Sequence, residues 1–422
     1  MNPHHTLPTR YSLLATRCWC LLLAVFFILH SSFCISRAAT PAPATLPPWS
    51  EGFLDIHHIN TGKGESTLLI LPDGTTMLVD AGASGRVPPR RTHPQVPDDS
   101  RAPGEWIARY IDRALQSAPK KTINYALISH YHDDHYGSLT KANPRVSPAG
   151  GYKINGITEV AEHIPIERFI DRSWPKYDQS EAMREYQKFI AWQQKHKGMQ
   201  PARFQVGAND QFVLLRNPSK YPTFEIRNLA ASGVVWTGKD LSTRDIFMGV
   251  DPKDIAENKC STAFRLSYGP FKYFSGGDIS SGDLDKKPGE TWRDIDTPVA
   301  KACGPVSVMK ANHHAYTDAN SASLLSILRP RVIVIHCWGY SHADINIMRR
   351  MKDPNVYPGP RTIFPTRIHA ESAQQWGDPS LEIRGHIVIR VSPGGKEYHV
   401  YRLTDSDESG LIKSTDGPYN AK

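Results

Sequence analysis

An apolar run over residues 123–129 clusters as a buried strand would and ends at once in His130-Tyr131-His132-Asp133-Asp134-His135. A strand of this kind, closed by a polar cluster, belongs in an α/β fold, where sites lie just past strand ends. The residue types fit that place. Imidazole and carboxylate together are ligands for a borderline cation such as zinc. With the spacing His-x-His-x-Asp-His, a tight loop turns His130 and His132 toward one cation and Asp134 and His135 toward a second.

The first forty residues are of another kind. Arg10 and Arg17 precede an apolar run from Cys18 to about Phe33, and Ser36-Arg37-Ala38 offers a small-x-small cleavage site. Residues 1–38 therefore read as a secretory signal peptide, which sends the chain to the periplasm or the extracellular space, with an uncleaved membrane anchor as the competing reading. No other segment has the roughly 18 apolar residues of a membrane span, so no stable span is expected after cleavage. The signal holds Arg10, Arg17 and Arg37 and no acid, so the formal charge of +8 becomes 8 − 3 = +5 in the mature chain. That mild excess tolerates an anionic substrate and is no nucleic-acid footprint by itself. The mature cysteines, Cys260, Cys303 and Cys337, exclude a disulfide scaffold and allow at most one intrachain disulfide.

A Pro-, Ala- and Thr-rich lead-in is expected over 39–52. Strands are expected at 53–60, 66–71 and 75–80, then an Arg-, Pro- and Asp-rich loop over 82–103, either a lid that contacts substrate or a surface excursion. Trp106, Ile107, Tyr110, Ile111, Ala114 and Leu115 form one apolar helix face over 104–117. A helix over about 178–197, opened by a capping pattern at Asp178-Gln179-Ser180-Glu181, reads as an insertion that walls the site. Further strands are expected at 211–215, 223–229, 262–267, 271–274, 306–310 and 331–336, helices at 321–328 and 343–352, and a loop at 235–257. A hairpin at 381–391 and 398–403 closes the domain, 53–404, and residues 405–422 are expected to be a tail.

The His/Asp cluster resembles the signature of the metallo-β-lactamase superfamily of hydrolases, and further pieces follow in the family's order. Gly62-Lys63-Gly64-Glu65 with Asp80-Ala81-Gly82 resembles its first hairpin, with Glu65 in place of an aspartate. Gly276-Gly277-Asp278 resembles the block that carries its bridging aspartate. Asn312-His313-His314 resembles the His-His segment of the DNA-uptake-channel and phosphorylcholine-esterase-like branch, with Ala315-Tyr316 where that branch has Gly-Ser.

The resemblance implies a four-layer αββα sandwich with two divalent cations, zinc first and manganese or iron as alternatives. Carried over residue by residue, His130, His132, Asp134, His135, Asp278 and His314 are the metal ligands. Asp80 orients a ligand histidine, His313 supports the ligands from behind or donates a proton, and His342 is a candidate for binding the substrate or protonating a leaving group. The family's remaining histidine ligand falls at Asn258, Lys259 or Cys260. The implied function is a secreted hydrolase whose metal-bound hydroxide attacks a phosphodiester or phosphate ester. The alternatives are a β-lactam, lactone or other ester hydrolase, or a nonenzymatic metal- or substrate-binding relative. The partner is a small-molecule or phosphodiester substrate; the charge does not point to nucleic acid.

Overall fold

Residues 44–85, 92–141, 144–282, 289–376 and 384–421 are described by a computed structural model. The expected signal peptide lies outside them, as does part of the loop expected over 82–103. Among the described residues the first sheet runs Ile412–Asn420, Glu397–Leu403, His386–Val391, Leu54–His58, Thr67–Ile70, Thr76–Val79, Ile123–Leu127, Ile166–Asp171 and Gln200–Arg203. The second runs Thr243–Asp245, Val234–Trp236, Phe224–Ala231, Ala263–Tyr268, Phe271–Ser275, Val308–Lys310, Val332–Ile335 and Thr362–Pro365.

Side chains alternate across these strands, and the alternation sorts the core into layers. Tyr125 and Leu127 join Phe264, Leu266, Val332 and Val334 between the two sheets. Ala126 and Ile128 pack outward with Ile107 and Ile111 of the helix Pro103–Ala114 and Phe189 of the helix Glu181–Lys197. Met309, Ile333 and Ile335 pack on the other outer face with Val299, Leu324 and Ile347, from the helices Asp296–Cys303, Ala322–Leu328 and Ile345–Lys352. Each such fully buried aliphatic or aromatic side chain contributes roughly 1.5–3 kcal/mol. The result is the expected αββα sandwich.

Parallel pairing sets where chemistry can gather. Ile123–Leu127 is parallel to Thr76–Val79 and to Ile166–Asp171. Val308–Lys310 is parallel to Phe271–Ser275 and to Val332–Ile335. Within each set the strands finish at one edge, so the segments beginning at Asp80 and His130 emerge side by side in one sheet. Those leading to Asp278, His314 and Trp338 do so in the other.

Three expectations are corrected. Residues 211–215 do not form a strand; they are a loop whose Phe212 and Leu214 plug the space between the sheets, which produces the same apolar alternation. The expected tail contains a long edge strand, Ile412–Asn420, antiparallel to Glu397–Leu403. The loop expected over 235–257 holds the short strands Val234–Trp236 and Thr243–Asp245. Cys260, Cys303 and Cys337 are all free. No described helix is long and apolar enough to cross a membrane.

Candidate metal centre

The loop that carries the histidines is pinned by backbone contacts. Glu65 N–H donates to Asp134 O at 2.8 Å, Gly82 N–H to Glu65 O at 2.8 Å, and Ala81 N–H to His135 O at 2.8 Å. A Cβ on Gly82 would fall 1.8 Å from Asp134 O, so only glycine allows the approach. The single helical turn Asp133–Tyr136 then turns Asp134 and His135 inward, where both are buried.

Asp278, three residues past the end of the strand Phe271–Ser275, is the hub. Its Oδ2 lies 3.1 Å from His135 Nε2, 3.4 Å from His314 Nε2, 3.8 Å from His130 Nε2 and 4.0 Å from His313 Nε2. His314 Nε2 also lies 3.0 Å from Asp134 Oδ2, and His130 Nε2 lies 3.1 Å from His132 Nδ1. All six residues expected as ligands are thus brought together.

Four of these imidazoles are fixed from behind. Asp80 Oδ2 sits 2.8 Å from His135 Nδ1 and 2.7 Å from the Ser129 hydroxyl, which in turn lies 3.1 Å from His130 Nδ1. His314 Nδ1 donates to His336 O at 3.0 Å. Asp318 Oδ1 holds His313 Nδ1 at 2.5 Å. Backing of this kind sets tautomer and orientation in metal-binding histidines.

The His-His segment is a strained turn. His313, His314 and Ala315 have φ of 47°, 52° and 57°, a left-handed run without a glycine. Such residues cost about 1–3 kcal/mol each and persist where surrounding contacts over-determine them. Here Asn312 N–H donates to Asn320 Oδ1 at 2.9 Å, Asp344 N–H to Ala315 O at 2.9 Å, and His313 N–H to Gly277 O at 3.2 Å. Ala315-Tyr316 therefore supports the turn through its partners and not through backbone freedom.

Other expectations resolve differently. Asn258 Nδ2 lies 3.1 Å from His313 Nε2, so it meets the cluster only at that residue's tip. Cys260 is half-buried against the apolar layer outside the second sheet, and Arg172 is its electrostatic neighbour. His342 stacks on His314 with ring centroids 4.7 Å apart and accepts from Gly339 N–H at 3.2 Å. Burial and the neighbouring His314 push its pKa well down, so it is a neutral imidazole.

Sequence reasoning passed over Glu65 except as a departure from a pattern. The structure gathers ligand atoms of Glu65, His135, Asp278 and His314 within 4.8 Å of one another, all buried. Glu65 Oε2 also takes the Lys310 ammonium at 2.9 Å, and that ammonium reaches Gly277 O at 2.7 Å. The available signal was a lysine at the end of a buried strand, which requires an acidic partner.

The electrostatics fit a cation. Burial alone would lower the His135 pKa, but the Asp278, Asp80 and Asp134 carboxylates outweigh it and hold it well above the ordinary range. The same contest pushes His314 up to about 9, with burial overcome by Asp278 and Asp134. Burial would raise Asp134 and Asp278, and the neighbouring His135 and His314 hold both well below the usual carboxylate range. Asp134 Oδ1, Asp278 Oδ1 and Glu65 Oε1 remain buried without hydrogen-bond partners. Buried acceptors in that state cost free energy unless a positive group meets them, and this donor set suits a divalent metal.

Residues 60–151 match the sequence model of the Metallo-beta-lactamase superfamily. No curated protein matches the chain. A solved structure of a presumed metal-dependent hydrolase from Parabacteroides distasonis ATCC 8503 is similar at 13% identity and a TM-score of 0.34, over 78% of this chain and 97% of that one. The matched segment runs from Asn60 through the whole His/Asp loop, and the αββα frame brings that loop to Asp278 and His314.

Proposed function

We propose that the chain is an exported metal-dependent hydrolase of phosphodiesters or phosphate esters. The observation that carries it is the convergence on Asp278 Oδ2 of four imidazoles from two separate loops, beside orphaned buried carboxylate oxygens. Divalent cations held there would supply Lewis acidity and an activated water. Asp134, His135, Asp278 and His314 make one half of the holding set. His130 and His132 make the other, with Asp278 shared.

His313 fits the place left open by residues 258–260. With Nδ1 held by Asp318, its Nε2 points to the same Asp278 oxygen that His130 approaches. This reading moves His313 from proton donor to ligand. His342, neutral and stacked on His314, positions that ring and is poorly suited to give up a proton. The resemblance of the His-His segment to phosphodiester-cleaving relatives supports the substrate class.

Turnover of bis-p-nitrophenyl phosphate and nitrocefin, measured side by side on the purified chain, tests the proposal. Phosphodiester turnover that disappears in Asp134→Ala supports it. Turnover of nitrocefin alone replaces it with the β-lactam alternative, and bound metal with neither turnover replaces it with a binding protein.

A further inference from the structure

Beside the metal cluster, we infer a second binding pocket that takes a phosphate group of the substrate remote from the bond that reacts. The assignment deepens the phosphodiester reading and rests on it for what the phosphate is attached to. A cavity of about 570 Å³ is lined by His93, Tyr340, Arg367, His369 and Arg384, with Pro94 at its wall. The lining brings two guanidinium groups, two imidazoles and a phenol into one concave site. Guanidinium forks match phosphate oxygens in geometry and charge.

Among the described residues the positive charge is incompletely answered from within. Arg367 Nη1 donates to the neutral Pro94 O at 3.3 Å. Arg384 Nε lies 3.4 Å from Asp405 Oδ1, but the same oxygen is 3.3 Å from the Lys413 ammonium, and the other oxygen accepts from Asn60 at 2.8 Å. Lys63 adds a further cation, with its ammonium donating to His93 O at 3.0 Å. His93 is 1% exposed, and its Nε2 has no hydrogen-bond partner. A buried, unpartnered ring nitrogen lining a cationic cavity is a group waiting for an acceptor or donor. Burial first, and then the charges of Arg367, His369, Lys63 and Arg384, push the His93 pKa down to about 3.

The pocket and the metal cluster share one segment. Trp338 Nε1 lies 3.3 Å from His314 Nε2, and Trp338 O accepts from His93 N–H at 2.8 Å. Thr92 forms a strand-like bridge to Gly339, and the Tyr340 ring lies 5.5 Å from His93 and 4.1 Å from His369. Tyr340 follows Trp338 by two residues, a backbone span of roughly 7 Å at most, so the pocket and the cluster are neighbours along one short segment. Thr92, His93 and Pro94 come from the Arg-, Pro- and Asp-rich loop, and this gives that loop a task.

Titration calorimetry of the full purified chain with inorganic phosphate tests the pocket without relying on turnover. Arg367→Gln and Arg384→Gln are expected to weaken phosphate binding roughly tenfold each, as loss of one charge-assisted contact does, with metal content unchanged. Unchanged phosphate affinity in both variants, each melting as the unaltered chain does, overturns the assignment. So does the absence of saturable phosphate binding to the unaltered chain. Phosphate binding lost in the variants, in a chain that hydrolyses no phosphodiester, upholds the pocket and removes the phosphodiester reading of the cluster.

Discussion

Asp80 Oδ2 lies 2.8 Å from His135 Nδ1, while Asp80 Oδ1 accepts the Ser129 backbone N–H at 2.7 Å. One buried carboxylate therefore fixes both the exit of the strand Ile123–Leu127 and the ring that it leads to. Asp80→Asn keeps the volume and removes the charge that sets the His135 tautomer. Metal affinity is expected to fall about 10–100-fold, read by competition with a chromophoric chelator. An unchanged affinity would limit Asp80 to holding the backbone.

Lys310 and Glu65 form a fully buried pair at 2.9 Å. Lys310→Met leaves the Glu65 carboxylate unpaired beside Asp278 and is expected to cost about 3–5 kcal/mol. Lys310→Met/Glu65→Gln removes both charges and should recover part of that loss. Denaturant unfolding of the single and double variants measures the difference. Equal destabilisation of the two would show that the pair is not coupled.

His313→Ala should lower the metal content of the purified chain by up to one equivalent, with its melting cooperative. Asp318→Asn should act in the same direction and more weakly, because Asp318 only holds His313. Full metal content in His313→Ala, with a change confined to the pH profile of turnover, would return His313 to proton donation.

Metal binding should strengthen as pH rises. The His314 pKa is pushed up to about 9, so below that pH the cation must displace a proton from it. Each proton released makes affinity fall about tenfold per pH unit on the acidic side. Calorimetry in buffers of different ionisation enthalpy counts the protons. Affinity that is flat between pH 6 and 8 would contradict the raised value.

Much of this was legible before the structure. The run at 123–129 and the cluster after it stated both a strand and its terminal chemistry, because buried apolar residues and metal ligands are each distinctive types. Asp278 and His314 were readable from short patterns at strand ends. Glu65 was not, since a single acid in a turn has no periodicity, and its partner Lys310 lies 245 positions away in sequence. The strand Ile412–Asn420 alternates half-buried with exposed residues, so it lacks the apolar stripe that marks a core strand. Residues 211–215 misled for the opposite reason: Phe212 and Leu214 are core residues on a loop. The pocket at Arg367 and Arg384 gathers residues from three distant segments, a relation that only the fold creates.

The central claim is that the side chains around Asp278 hold metal, and elemental analysis of the purified chain tests it most directly. The account predicts two equivalents of divalent metal in the unaltered chain, a clear loss in Asp278→Ala, and phosphodiester turnover that vanishes on chelation and returns with zinc or manganese. A folded chain that carries no metal and takes up none from zinc- or manganese-containing buffer would contradict it.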